Sequence, residues 1–167
     1  ESYAALESNV TAFTVKIDRQ VPVIRVSFEG TFGRWTGEGV TFNFSTEEAS
    51  LSGINYYYDN GNGWTLIDSG ASIEITDTTN AVYRFKAVNN AGTESYPSDS
   101  YHVMIDAKVP EITLTPEVTD VTPNPYKINI STEVGESGLR EVTCNGQDIT
   151  NEDSYTVSQN GTYVFTV

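Results

Sequence analysis

Apolar residues in this chain recur at every second position over short stretches, with Gly, Asn and Ser between the stretches. Val40, Phe42 and Phe44 alternate with Thr41, Asn43 and Ser45. Ala81, Tyr83, Phe85 and Ala87 alternate with Val82, Arg84 and Lys86, and Tyr101, Val103 and Ile105 alternate with His102 and Met104. A period of two collects one set on one face of an extended chain, so each stretch predicts a strand with one side buried. Ile24, Val26 and Phe28, and then Ile73 and Ile75, extend the pattern. The aromatic run Ile54-Asn55-Tyr56-Tyr57-Tyr58-Asp59 leads into Asn60-Gly61-Asn62-Gly63-Trp64, whose two Asn-Gly steps accept the positive φ of tight turns. No stretch carries apolar residues at the i, i+3, i+4, i+7 spacing of an amphipathic helix. Six or seven short strands joined by such turns predict an all-β antiparallel β-sandwich.

The pattern repeats. Residues 13–24, FTVKIDRQVPVI, and residues 101–112, YHVMIDAKVPEI, share an aromatic, Val15 with Val103, Ile17-Asp18 with Ile105-Asp106, Val21-Pro22 with Val109-Pro110, and Ile24 with Ile112. TFNFSTEEASLSGI at 41–54 matches KINISTEVGESGL at 127–139 with one gap, and AVYRFKAV at 81–88 matches GTYVFTV at 161–167. An internal repeat sets module boundaries. Residues 1–20 read as the closing strand of a preceding module, 21–108 as a complete module, and 109–167 as a module without its last strand. The chain reads as a window on a longer array. At each junction three residues separate the aspartate from a proline, which fixes its own φ and extends its predecessor, so neighbouring modules are expected to be stiffly joined.

Composition narrows the partners. A net charge of −14 disfavours nucleic acid, which requires a basic face. No apolar run approaches the roughly 20 residues of a membrane-spanning helix, so membrane insertion is not expected. One cysteine, Cys144, allows no intrachain disulfide and reads as a small hydrophobe.

SGINYYYDNGNGW, VYRFKAVNNAGTES and YHVMIDAKVPEI resemble the bacterial Ig-like repeats that occur in tandem in secreted and wall-attached proteins of Gram-positive bacteria. The resemblance covers almost the whole chain and implies tandem Ig-like antiparallel β-sandwiches. It also implies an extracellular, secreted or cell-wall-associated location. The implied role is that of a spacer or adhesion segment beside neighbouring domains of the same polypeptide, with polysaccharide or a host surface glycan or protein as an external partner. Asn89 stands where such repeats commonly carry an acidic residue.

Three kinds of chemistry are weighed against structural roles. Asp18 and Asp106 at the junctions are expected to act as structural caps; the alternative is calcium, which takes six to eight oxygens from carboxylates and carbonyls, and no other cofactor is expected. Trp35, Trp64 and Tyr58 are candidates for stacking on sugar rings, the alternative being core packing. Mapped from Leu139, Val142 and Cys144, whose uneven spacing suggests a kink near the strand start, Tyr57 is expected to face the core, with Tyr56 and Tyr58 left open. Catalysis is not expected. His102 alternates with apolar residues and should face solvent without a partner histidine. Adjacent Glu47 and Glu48 should point to opposite faces of a strand, unlike a glycosidase pair.

Overall fold

The computed structural model describes residues 12–47 and 50–167; the expectation for Glu48 lies outside these residues. Fourteen strands and no helix occur among the described residues. They are β1 Ile24–Glu29, β2 Trp35–Thr36, β3 Val40–Thr46, β4 Ile54–Asp59, β5 Thr65–Leu66, β6 Ser72–Ile75, β7 Thr79–Asn89, β8 Tyr101–Ile105, β9 Glu111–Pro116, β10 Tyr126–Glu133, β11 Thr143–Cys144, β12 Gln147–Asp148, β13 Ser154–Val157 and β14 Phe165–Thr166. The protein is all-β, as the alternation predicts.

The first eight strands form two sheets, a three-stranded β1-β3-β6 and a five-stranded β2-β8-β7-β4-β5. Every pairing is antiparallel except that of β2 with β8, where Trp35 lies opposite Met104. The inward residues of both sheets meet in one core that contains Val40, Phe42, Phe44, Ile75, Tyr83, Phe85, Ala87, Val103 and Ile105, the positions that alternation selects. Phe42 of one sheet touches Phe85 of the other at 4.7 Å between ring centroids. Phe44 stacks on Tyr56 at 5.4 Å. Facing sheets of this kind are a two-layer solution to burying one side of each.

The remaining strands form two three-stranded sheets, β13-β10-β9 and β12-β11-β14, around a second core of Val142, Cys144 and Ile149, with Leu139, Tyr155 and Phe165 packed against it. The pairings reproduce those of the first group. β9-β10-β13 answers β1-β3-β6, and β12-β11-β14 answers β5-β4-β7. Among the described residues no strand answers β8, and β14 pairs only with β11.

Register corrects one expectation. Tyr58 lies opposite Phe85 and Cys144 lies opposite Phe165. The amide of Ile67 donates to Tyr56 O, and the amide of Ile149 donates to Val142 O. Val142 therefore answers Tyr56, and Cys144 answers Tyr58. Tyr56 is buried, Tyr58 packs against the core, and Tyr57 stands on the outer face opposite Lys86. The second group of sheets has one extra residue between Gly138 and Val142 compared with Gly53 and Tyr56, and a one-residue slip exchanges the two faces of a strand.

Candidate functional site

The chain that leaves Ile17 and the chain that leaves Ile105 reach the same arrangement. Ser50 Oγ and Ser52 Oγ donate to Asp18 Oδ2 at 2.5 and 2.7 Å, Ser52 N donates to the same oxygen at 3.1 Å, and Gln20 N donates to Oδ1 at 3.1 Å. At the second connection Ser137 N and Oγ donate to Asp106 Oδ2 at 2.8 and 2.6 Å, and Lys108 N donates to Oδ1 at 3.1 Å. Each carboxylate thus turns its own connection and holds the Ser-Gly turn of the sheet group that follows.

The turn recurs because its sequence does. Gly53 N donates to Ser50 O, Gly138 N donates to Gly135 O, and both Gly53 and Gly138 have positive φ, a conformation that costs a side-chain-bearing residue energy. Where the first turn has Ser50, the second has Gly135, which lies against the Asp106 carboxylate so closely that a Cβ would collide with it.

Electrostatics follow from the donors. The Ser50 hydroxyl, then that of Ser52, with the amides of Gln20 and Ser52, stabilise the Asp18 anion and hold its pKa at about 2. Asp106 is lowered first by the Ser137 hydroxyl, then by the Ser137 amide. Lys108 Nζ reaches Glu133 Oε1 at 2.5 Å and lowers that carboxyl as well. At the first connection buried Asn89 contributes in a different way. Its amide donates to Gln20 O at 3.0 Å while Oδ1 accepts from Ala91 and Thr93. An ionised aspartate could accept these bonds but could not donate to a carbonyl, which gives Asn89 a reason to be an amide.

Asp18 and Asp106 therefore sit at separate connections, each already surrounded by N–H and O–H donors. A calcium ion at either would have to displace these donors and recruit further oxygens. No group of three or more His, Cys, Asp and Glu suited to a metal occurs among the described residues. Sequence reasoning found both aspartates and missed Ser50, Ser52 and Ser137, although the Ser-Gly pairs at 52–53 and 137–138 are part of the repeat and were the available signal.

The aromatic candidates do not converge. Trp35 lies on β2 and Trp64 beside β5, the two outer strands of the five-stranded sheet, so four strand spacings, roughly 19 Å, separate them. Tyr58 turns toward the core, 6.0 Å from the Tyr83 ring. Trp64 is 37 % exposed, with Lys86 Nζ 4.8 Å from its ring centroid and 5.7 Å from that of Tyr57. Lys86 also pairs with Glu94 at 2.8 Å. This cation–π cluster on the outer face was not anticipated. The alternation does place Lys86 outward, opposite Tyr57.

His102 is exposed, with Nε2 2.7 Å from Asn80 Oδ1. Cys144 is 1 % exposed inside the second core. Neither comparison, with family models or with curated proteins, finds a match.

Proposed function

We propose that the chain is a non-catalytic, extracellular Ig-like repeat segment of a bacterial surface or secreted protein, acting as a stiff spacer and offering a surface for adhesion. The observation that carries this reading is the repeated aspartate clamp. The carboxylate that follows each copy of the repeated segment is bonded to the Ser-Gly turn of the sheets that come after it, Asp18 to Ser52 and Asp106 to Ser137, and at Asp106 this ties the strand β8 to the second group of sheets. A joint bridged by charge-assisted bonds across three residues and a proline restricts swivelling far more than a Gly/Ser linker of equal length.

The sheet order supports the Ig-like part of the reading. Taking β1, β3 and β6 as strands A, B and E and β4, β7 and β8 as C, F and G gives the partition of an Ig-like sandwich, with β9, β10 and β13 and then β11 and β14 recurring in the same relation. Location and bacterial origin rest on the resemblance of the repeat motifs alone.

Small-angle scattering and interdomain NMR relaxation test the stiffness. The chain should scatter as one elongated particle, and replacing Asp106 and Ser137 together by Ala should broaden the distribution of shapes while both cores stay folded. A wild-type chain already as broad as the variant would refute the spacer reading.

A further inference from the structure

We propose that Asp59 guards a latent modification site, the two Asn-Gly steps of the β4–β5 hairpin, by holding the glycine amides that would otherwise convert Asn60 and Asn62 to aspartate and isoaspartate. The hairpin loop runs Asp59-Asn60-Gly61-Asn62-Gly63-Trp64. Gly61 and Gly63 have φ of 98° and 94°, a region that residues with a side chain rarely adopt, and a Cβ at either would meet nothing within 4 Å. Backbone conformation, not space, therefore demands glycine. Glycine after asparagine has a chemical consequence, because no side chain shields its nitrogen.

The reaction is an intramolecular displacement. Hydroxide from the solvent removes the proton of the glycine amide, and the nitrogen attacks the Cγ of the preceding asparagine. A C–N bond forms, the Cγ–Nδ2 bond breaks, and Nδ2 leaves as ammonia with a proton from water. Water then opens the cyclic imide at either carbonyl to give aspartate or isoaspartate, so each asparagine consumes a water and releases an ammonia. The step needs a glycine N–H that can lose its proton and a nitrogen that can reach Cγ. Both are opposed here. Gly61 N and Gly63 N donate to the same oxygen, Asp59 Oδ1, at 2.9 and 3.1 Å. An N–H bonded to an anion gives up its proton less readily, and the bond aims the nitrogen at Asp59 instead of the neighbouring side chain.

A turn of this shape does not by itself require a charge. Asn89 Oδ1 accepts from Ala91 N and Thr93 N, at the same two spacings, with a neutral amide, and that turn contains no Asn-Gly step. Asp59 is 8 % exposed, a placement that costs an ion its hydration. Arg84 Nη2 offsets the cost from 2.8 Å on Oδ2 and leaves Oδ1 to the two amides. The Gly61 amide and then Arg84 lower the Asp59 carboxyl, which keeps the acceptor ionised. The charged acceptor thus stands at the turn that carries the labile steps. Isoaspartate at either asparagine would lengthen the backbone between Tyr58 and Thr65, which are paired in the ladder, and displace Trp64 from Lys86. The inference is independent of the spacer reading.

Peptide mass spectrometry of the full chain kept in warm, mildly alkaline buffer tests it, with the same chain in denaturant as the reference. Asn60 and Asn62 should deamidate roughly tenfold more slowly, or slower still, in the folded chain, since the reaction must wait for the loop to open. Asp59→Ala should raise both rates toward the denatured value. Asp59→Asn, which keeps an acceptor oxygen as Asn89 does, should fall between, and it carries the comparison if Asp59→Ala does not fold. Val40→Ala is the control, because Val40 lies in the other sheet and its truncation weakens the same core away from the hairpin. Its rates should stay near those of the wild type. Equal rates in folded and denatured wild-type chains, either Asp59 variant as slow as the wild type, or Val40→Ala as fast as Asp59→Ala would each overturn the proposal.

Discussion

Ser137 gives both its backbone N–H and its hydroxyl to one oxygen of Asp106, and Ser52 gives the same two groups to one oxygen of Asp18. Two residues 31 apart in one case and 34 apart in the other are joined by the same pair of bonds. The repeat in sequence is thus a repeat in hydrogen bonding, and at Asp106 it lies where the first group of sheets passes to the second.

The clamps make stability depend on acid. A carboxyl whose pKa is about 2 when folded and about 4 when unfolded contributes fully above the unfolded value and loses that contribution as pH falls through the folded value. Asp106 is lowered in the same direction. The melting temperature should therefore decline as pH is lowered from about 4 to about 2. Asp18→Asn combined with Asp106→Asn should start lower at neutral pH and decline less. A double variant that follows the wild-type curve would remove the clamps from the account.

Calcium should leave the melting temperature unchanged, and so should a chelator. The carboxylate that a cation would need already accepts four protein donors at Asp18 and three at Asp106, and those donors present hydrogens to any arriving ion. A rise with calcium that chelator reverses would mean that the donors rearrange around a metal.

Gly135→Ala should destabilise the second group of sheets by about 1–3 kcal/mol, the usual cost of overpacking. The new methyl would meet the Asp106 carboxylate, which is itself fixed by Ser137 and Lys108. Thermal melts and the chemical shift of the Ser137 amide report this together. An unshifted amide with unchanged stability would mean that the carboxylate moves aside freely.

Much of the fold was legible because alternation needs only local information. Val40, Phe42 and Phe44 had to share a face whatever they met, and they lie in the first core. Tyr57 was misread because its face was inferred by aligning Gly53-Ile54 with Gly138-Leu139 without a gap, and a strand converts an error of one residue into the opposite face. The clamps were half legible. An aspartate before a proline announces a turn, but its serine partners lie more than 30 residues away, a distance that only the repeat of Ser-Gly could have bridged. The Lys86 cluster was illegible for a different reason. Lys86 is buried on the outer face by Tyr57 and Trp64, and burial of a cation by aromatic rings leaves no periodic signature.

Trp35→Ala and Trp64→Ala should behave independently in any polysaccharide retention assay, because opposite edges of a five-stranded sheet cannot hold one sugar ring between them. Lys86→Met should shift Trp64 emission and leave Trp35 unaffected, since the ammonium lies over the Trp64 ring alone of the two. Affinity-gel retention and the fluorescence of single-tryptophan variants separate these outcomes. A retention loss in the double variant much larger than the product of the single losses would point to a shared ligand.

The two cores should also fail separately. No buried residue belongs to both, and the clamp at Asp106 joins them by polar contacts at their boundary. Phe85 is fully buried among Phe42, Phe44 and Tyr83, so Phe85→Ala should cost about 3–5 kcal/mol in the first core. Val142 is 1 % exposed, and Val142→Ala should cost about 2 kcal/mol in the second. If the cores are cooperative units in their own right, Phe85→Ala lowers one calorimetric transition and Val142→Ala lowers the other, and the double variant sums the two effects within about 0.5 kcal/mol, as distant sites do. A single transition that both substitutions move together would mean that the clamp couples the cores more strongly than its few hydrogen bonds suggest, and the joint would have to be regarded as part of one folding unit.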